Sequence, residues 1–441
     1  MLTAARFLSR PVLRRAAILT AVAAAAVVLS ACGSGSRVAY FEPTKMVSFG
    51  DENSLIDTWQ DSAFVQADGS TAGSLKGLVY TVNTLVAGPE NAVNYVVCNE
   101  SSIATTYTAC TTANGGTAGT LAATTYTSQW FQATDVGSHV IEVRHDTTST
   151  QNQRMDLRYA WSCSNSTIWT QVVAHAYKLG YATYNGTAGQ CPTDSYSNAY
   201  TYAAYGAKVA DVVNQITAHG GELGKGTLAT VMVGQWDIYE QYQAVLAGKS
   251  QADAEAELKA RAVSLADAIV AMTNTGTKVV VALTPDLGES PLAYNAGKTT
   301  LLKALTTAFN DTLYIDNLAK RVTQGGRVLA GVNATLLTNT STRSTAYVYA
   351  PNVLCPAADT YDASSSSGNN LLDPIGQRVT SSYITAKLGG DTFQAVKFCN
   401  TLNSTLTSTA GTYMWADQIH FSTLGHTLIG STAYSRANNQ F

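Results

Sequence analysis

Leu228-Ala229-Thr230-Val231-Met232-Val233 and Lys278-Val279-Val280-Val281-Ala282-Leu283 are runs of strand length, apolar but for Thr230 and the leading Lys278, and the spacing predicts a long helix over Ala252 to Met272 between them. A strand that is apolar on successive residues buries both of its faces. Strands of that kind alternating with helices of more than ten residues form a parallel sheet covered on both sides. Lys45-Met46-Val47-Ser48-Phe49 is a further β-compatible run, closed by Gly50-Asp51 as a tight loop. Helical apolar spacing recurs over Thr167 to Leu179, Gly206 to His219 and Leu301 to Leu318. Together these elements predict an α/β fold.

Residues 84–160 read differently. They are rich in Thr, Asn and Gly and carry alternating runs such as His139-Val140-Ile141-Glu142-Val143-Arg144-His145, which predicts a β-rich insertion. His139 and His145 fall on one face of that strand without a third ligand nearby, so no metal site is expected there. The chain shows no internal repeat, and Ser364 to Ser367 is its single low-complexity tract.

At the N-terminus a basic stretch, Arg6 to Arg15, precedes the apolar run Ala16 to Val28 and then Leu29-Ser30-Ala31-Cys32-Gly33. The apolar run is too short for a mature transmembrane helix but suits the h-region of an export signal. Leu-Ser-Ala-Cys resembles the lipobox of bacterial lipoproteins, which implies a signal peptide over 1–31, lipidation of Cys32 and a membrane-anchored chain at the outer membrane or cell surface. An ordinary secretory signal with an incidental Cys is the alternative. Gly33-Ser34-Gly35-Ser36 opens a flexible tether over 32–44.

The 441 residues are 46% hydrophobic and only 13% charged, so the chain can bury a large core. Its 27 Lys+Arg stand against 30 Asp+Glu, and four arginines lie within the signal, leaving 23 against 30 and a net charge of −7. No basic stripe is available for phosphates, which sets nucleic-acid binding aside. Beyond Cys32 there are six cysteines, Cys98, Cys110, Cys163, Cys191, Cys355 and Cys399, with no CxxC among them. An even number in an exported chain suits structural disulfides, and proximity along the chain favours 98 with 110, 163 with 191 and 355 with 399.

In a parallel α/β sheet, ligands bind at the carboxyl ends of the strands. The segments there read Phe49-Gly50-Asp51-Glu52-Asn53-Ser54-Leu55-Ile56-Asp57, Gly234-Gln235-Trp236-Asp237 and Thr284-Pro285-Asp286-Leu287-Gly288. Near the end stands Trp415-Ala416-Asp417-Gln418-Ile419-His420. An Asp and a His three residues apart on a loop can set the carboxylate on one imidazole nitrogen and leave the other for a hydroxyl nucleophile. This pair is the strongest chemical signal in the chain. Asp51 and Asp57 read as loop or capping residues, and His426 as structural.

These segments resemble the blocks of the GDSL, or SGNH, hydrolases, esterases and lipases on a flavodoxin-like three-layer α/β/α fold. The first block is Phe49-Gly50-Asp51, the second-block glycine is Gly206, and the third block is Gly234 to Asp237. Pro285-Asp286-Leu287-Gly288 follows, and Asp417/His420 form the last block; the matches span 47–426 in family order and skip the insertion. The resemblance implies a hydrolase-like domain built from 45–83 and 161–441, interrupted by 84–160. It implies a Ser-His-Asp triad acting on carboxylic esters without metal or organic cofactor, the substrate being a lipid, a short-chain ester or an acetylated glycan.

Two departures accompany the matches. The family carries its serine directly after the first-block aspartate, where this chain has Glu52. Ser54 becomes the substitute nucleophile if Glu52-Asn53 is a two-residue insertion, since Ser54-Leu55-Ile56-Asp57 resembles the family's Ser-Leu-x-Asp; read without a gap, Ser54 falls two positions downstream, and an N-cap is its alternative role. In the third block Trp236 stands for the family's Asn, so Trp236 or Gln235, with Gly206, would supply the oxyanion donors. The expectation is an exported, lipid-anchored esterase using Ser54, His420 and Asp417. The alternatives are an inactive surface binding protein on the same scaffold, and acyl transfer to or deacetylation of a glycan.

Overall fold

Alternate residues of the Val-rich runs face opposite sides of a sheet, and here both sides are dry: Val279, Val280 and Val281 are all buried, as are Leu228 through Val233. The computed structural model describes residues 41–441 except 66–70, 88–93, 100–116, 121–127, 134–138, 146–150, 164–166, 323–327, 339–342, 356–370, 372–378, 380 and 400–410. Five parallel strands form its central sheet: β1 (Lys45–Gly50), β2 (Ala199–Thr201), β3 (Thr227–Met232), β4 (Lys278–Ala282) and β5 (Leu329–Val332). Their spatial order is β2-β1-β3-β4-β5. The chain moves outward from β1 to β2 and then crosses back to β3, so the order reverses between β1 and β3. In open parallel sheets that reversal leaves a crevice at the carboxyl ends of the two strands.

The six longest helices among the described residues are α1 (Trp169–Ala176), α2 (Val209–Ala218), α3 (Gln235–Leu246), α4 (Gln251–Asn274), α5 (Thr299–Asp311) and α6 (Thr423–Gln440). Val47, Phe49, Ala229, Val231, Val279 and Val281 form one core with α2, α3, α4 and α5. On the other side α1 packs on α6, which also reaches β4 and β5. The α/β architecture with helices around a parallel sheet therefore stands as the Val runs require.

Four of the elements were silent in sequence. The edge strands β2 and β5 are too short to show a period, α3 begins inside a stretch that reads as a loop, and α6 is rich in Ser, Thr and Asn with no clear apolar stripe.

Between β1 and α1 the chain is antiparallel. A hairpin pairs Asp57–Val65 with Thr71–Leu78. Six strands between Thr84 and Ser162 then form a second sheet, in which Gln151–Ser162 pairs with three partners. Antiparallel pairing thus begins at Asp57, earlier than position 84. The disulfides Cys163–Cys191 and Cys355–Cys399 join cysteines adjacent in sequence order, while the pairing of 98 with 110 lies outside the described residues. Loops of 28 and 44 residues closed in this way restrict the unfolded chain by about 4 kcal/mol each on a chain-entropy account. The expected signal peptide, Cys32 and the expected tether up to residue 40 also lie outside the described residues.

Candidate functional site

The loop after β1 turns sharply at Gly50, whose φ of 150° favours glycine and where a Cβ would collide with the carbonyl of Met232. Asp51 then caps a single 3-10 turn, Glu52–Ser54, by accepting from Asn53 N at 3.1 Å and Asn53 Nδ2 at 2.9 Å. Both acids of this loop are buried. Burial, and then the charge of Glu52 next to it, hold the Asp51 carboxyl well above the usual carboxylate range.

Glu52 is 0% exposed, and five hydrogen-bond contacts converge on its carboxylate. Oε1 accepts from Trp236 Nε1 at 2.7 Å, Gln235 Nε2 at 3.1 Å and His420 Nε2 at 3.0 Å. Oε2 accepts from Gly206 N at 3.0 Å and shares the indole N–H of Trp236 at 2.8 Å. The donors arrive on three separate segments: Gly206 in the loop after β2, Gln235 and Trp236 at the start of α3, and His420 on the loop before α6. Gly234 makes the second approach possible, since at φ 129° it lets the chain enter α3 where any Cβ would lie 2.5 Å from Thr284 Oγ1. The whole constellation sits over the β1/β3 crevice.

His420 is also 0% exposed, and its other ring nitrogen, Nδ1, lies 2.8 Å from Asp417 Oδ2. Asp417 is itself fixed, because Oδ1 accepts from Ile419 N at 2.9 Å and His420 N at 2.7 Å. This local turn is why the two residues must stand close in sequence. Burial works against a charge on the ring, but Asp417 and then Glu52 outweigh it and push the His420 pKa up to about 10. A pKa raised that far favours an imidazolium between Asp417 and Glu52 near neutral pH, with both ring nitrogens donating. In that state it has no lone pair with which to accept a proton.

Asp417 and His420 are therefore brought together, and Gly206, Gln235 and Trp236 converge with them on one point. Ser54 is not part of this assembly. Its Oγ accepts from Trp169 Nε1 at 3.1 Å, and its carbonyl accepts from Thr201 Oγ1 at 2.7 Å. Glu52, directly after Asp51, faces His420, and Ser54, two residues further on, faces α1. Ser54 anchors α1 and β2 to the loop instead of presenting a hydroxyl to the imidazole, and it caps no helix.

Other residues around the site, Asp57 apart, carry no sequence signal. Phe393 and Tyr80 flank the imidazole with ring centroids 6.4 and 6.2 Å away, and Phe393 also meets Trp236 edge-on at 5.7 Å. Tyr205 donates to Asp391 at 2.6 Å and stacks on Tyr80 at 4.9 Å. Asp57 accepts from Tyr80 at 2.9 Å, with Lys397 Nζ 3.9 Å away. Phe393, Asp391 and Lys397 lie in a segment tied down by Cys355–Cys399 and by Asn83, whose Nδ2 donates to Lys397 O at 2.7 Å. Only proximity in space links them to His420. His426 is fully buried with neither ring nitrogen bonded among the described residues.

No family model matches the chain, and no curated protein matches it. Among the described residues no helix is long and apolar enough to cross a membrane, and no group of three or more His, Cys, Asp or Glu could hold a metal ion.

Proposed function

We propose that this chain is a ligand-binding protein on an ester-hydrolase scaffold, exported and held at the membrane through Cys32, and that it does not hydrolyse esters through a serine. One observation carries this reading: Glu52 occupies the position facing His420 where a triad needs a hydroxyl, and its carboxylate takes every donor that would otherwise receive an oxyanion. A carboxylate held by those donors, with a protonated histidine beside it, leaves neither a nucleophilic hydroxyl nor a free base.

The scaffold assignment draws on the block order and on the strand order 2-1-3-4-5, the arrangement of flavodoxin-like sheets. It draws also on the convergence of the second-, third- and last-block residues at one point. The fold alone does not specify the chemistry, which is why the identity of the residue at position 52 weighs more than the resemblance. The serine-esterase reading, with its glycan deacetylase and acyl-transferase variants, retains Asp417 and His420. It requires Ser54 to abandon Trp169 and displace Glu52, and no contact favours that rearrangement.

Treating the purified ectodomain with a fluorophosphonate probe tests the proposal. The wild type should remain unlabelled and inert toward a short p-nitrophenyl ester, while Glu52→Ser, which restores a hydroxyl opposite His420, should gain labelling. Labelling of the wild type that disappears in Ser54→Ala would overturn the proposal in favour of the esterase.

A further inference from the structure

Five donor contacts to one side chain, from three segments distant in sequence, are more than the capping of a turn requires. A carboxylate buried at 0% exposure needs such compensation, but the compensation is built from groups that have no other task. Gly206 N has no helical partner, since α2 begins at Val209. The indole of Trp236 spends its single N–H on Glu52, sharing it between both oxygens. Gln235 is held at its other end, where Oε1 accepts from Asn53 Nδ2 at 3.3 Å, which aims its amide N–H at the same place. The donors are thus positioned by their own backbones and neighbours, and Glu52 fills the space they define.

We propose that Gly206 N, Gln235 Nε2, Trp236 Nε1 and His420 Nε2 form a receptor for a carboxylate ligand, and that Glu52 is its resident occupant. The inference deepens the binding-protein reading and rests on it. A carboxylate attached to the wall of its own site competes at a high effective concentration, so a free carboxylate displaces it only if the rest of that ligand adds contacts. The half-buried rings of Trp236, Tyr205 and Phe393, which meet edge to face beside Glu52, would supply those contacts. The ligand class is a carboxylate on an apolar or ring-bearing body that packs against these aromatics.

Emptying the receptor exposes its chemistry. Glu52→Ala should bind formate and acetate, read as a rise in its melting midpoint of roughly 2 °C or more at about 100 mM carboxylate, saturating with concentration. Equal sodium chloride or acetamide should give no such rise, because neither presents two anionic oxygens to the four donors. Wild type should show no formate-specific shift, and adding Trp236→Phe to Glu52→Ala should weaken the response at least several-fold. If Glu52→Ala is unfolded in chloride, recovery of the folded state in formate is the supporting result and no recovery overturns the proposal. A folded Glu52→Ala that ignores formate, or an equal formate shift in wild type, also overturns it. Fluorophosphonate labelling of the wild type would instead defeat the binding-protein reading while leaving a positive formate result intact, so the two failures are distinguishable.

Discussion

His420 and His426 lie six residues apart and both are fully buried, yet their pKa values are pushed in opposite directions. His420 has a carboxylate on each ring nitrogen, and its pKa is pushed up to about 10 against the effect of burial. Neither ring nitrogen of His426 has a hydrogen-bond partner among the described residues; burial and then the nearby His420 charge push its pKa down to about 3. Burial is common to both, so the partners decide. An imidazole between two carboxylates is an ion in a lock, whereas one among apolar neighbours is a neutral filler. The contrast also shows why a histidine near a strand end is not by itself a base.

Removing one arm of the lock should produce the largest effect. Glu52→Ala leaves three neutral donors and one side of an imidazolium without a partner in a dry site. A loss of about 3 kcal/mol is expected, measured by urea unfolding at neutral pH in chloride. A loss below about 1 kcal/mol would mean that the carboxylate is not clamped as described.

Ser54 lies two residues from Glu52 on the same turn but belongs to a different task, and its removal should cost less. Ser54→Ala deprives the buried Trp169 Nε1 of its acceptor, at about 1 to 2 kcal/mol, without altering the titration of His420. A shift in that titration would place Ser54 in the site after all.

His426→Leu should have the smallest effect near neutral pH, within about 1 kcal/mol, because it removes a polar ring that has no partner. Its effect grows with acid. A histidine whose folded pKa lies near 3 contributes stability that is fully present above its unfolded value of about 6.5 and is lost as pH falls toward 3. The Leu variant should therefore lose less stability than wild type over that window in unfolding experiments at pH 7 and pH 4. Parallel losses would show that His426 is already solvated or bonded.

The parts legible in sequence were those whose physics is local. Val279 to Val281 announce a strand buried on both faces, and Asp417 announces its own histidine because the turn that fixes the carboxylate spans three residues. The strands β2 and β5 and the helix α6 escaped because tertiary packing, not periodicity, sustains them. Glu52 was visible as an anomaly, but its role depends on Gly206, Trp236 and His420 arriving from elsewhere, and no spacing encodes that. Reading Ser54 as the nucleophile depended on the path of the loop, and Gly50 with the Asp51 cap sets that path so that Glu52 meets His420 and Ser54 meets Trp169.

The charge on His420 bears most directly on the account. Ring nitrogen chemical shifts of the protein, labelled with 15N at histidine and assigned with His420→Gln, can be followed from pH 5 to pH 11. A folded pKa of about 10 means that stabilisation from this ring is fully present below the unfolded value of about 6.5 and is lost as pH rises through 10. The account predicts that both nitrogens of His420 remain protonated at pH 8 and that deprotonation coincides with the alkaline loss of stability. A neutral His420 ring at pH 8, titrating near 6.5 with one nitrogen free to accept a proton, would contradict it.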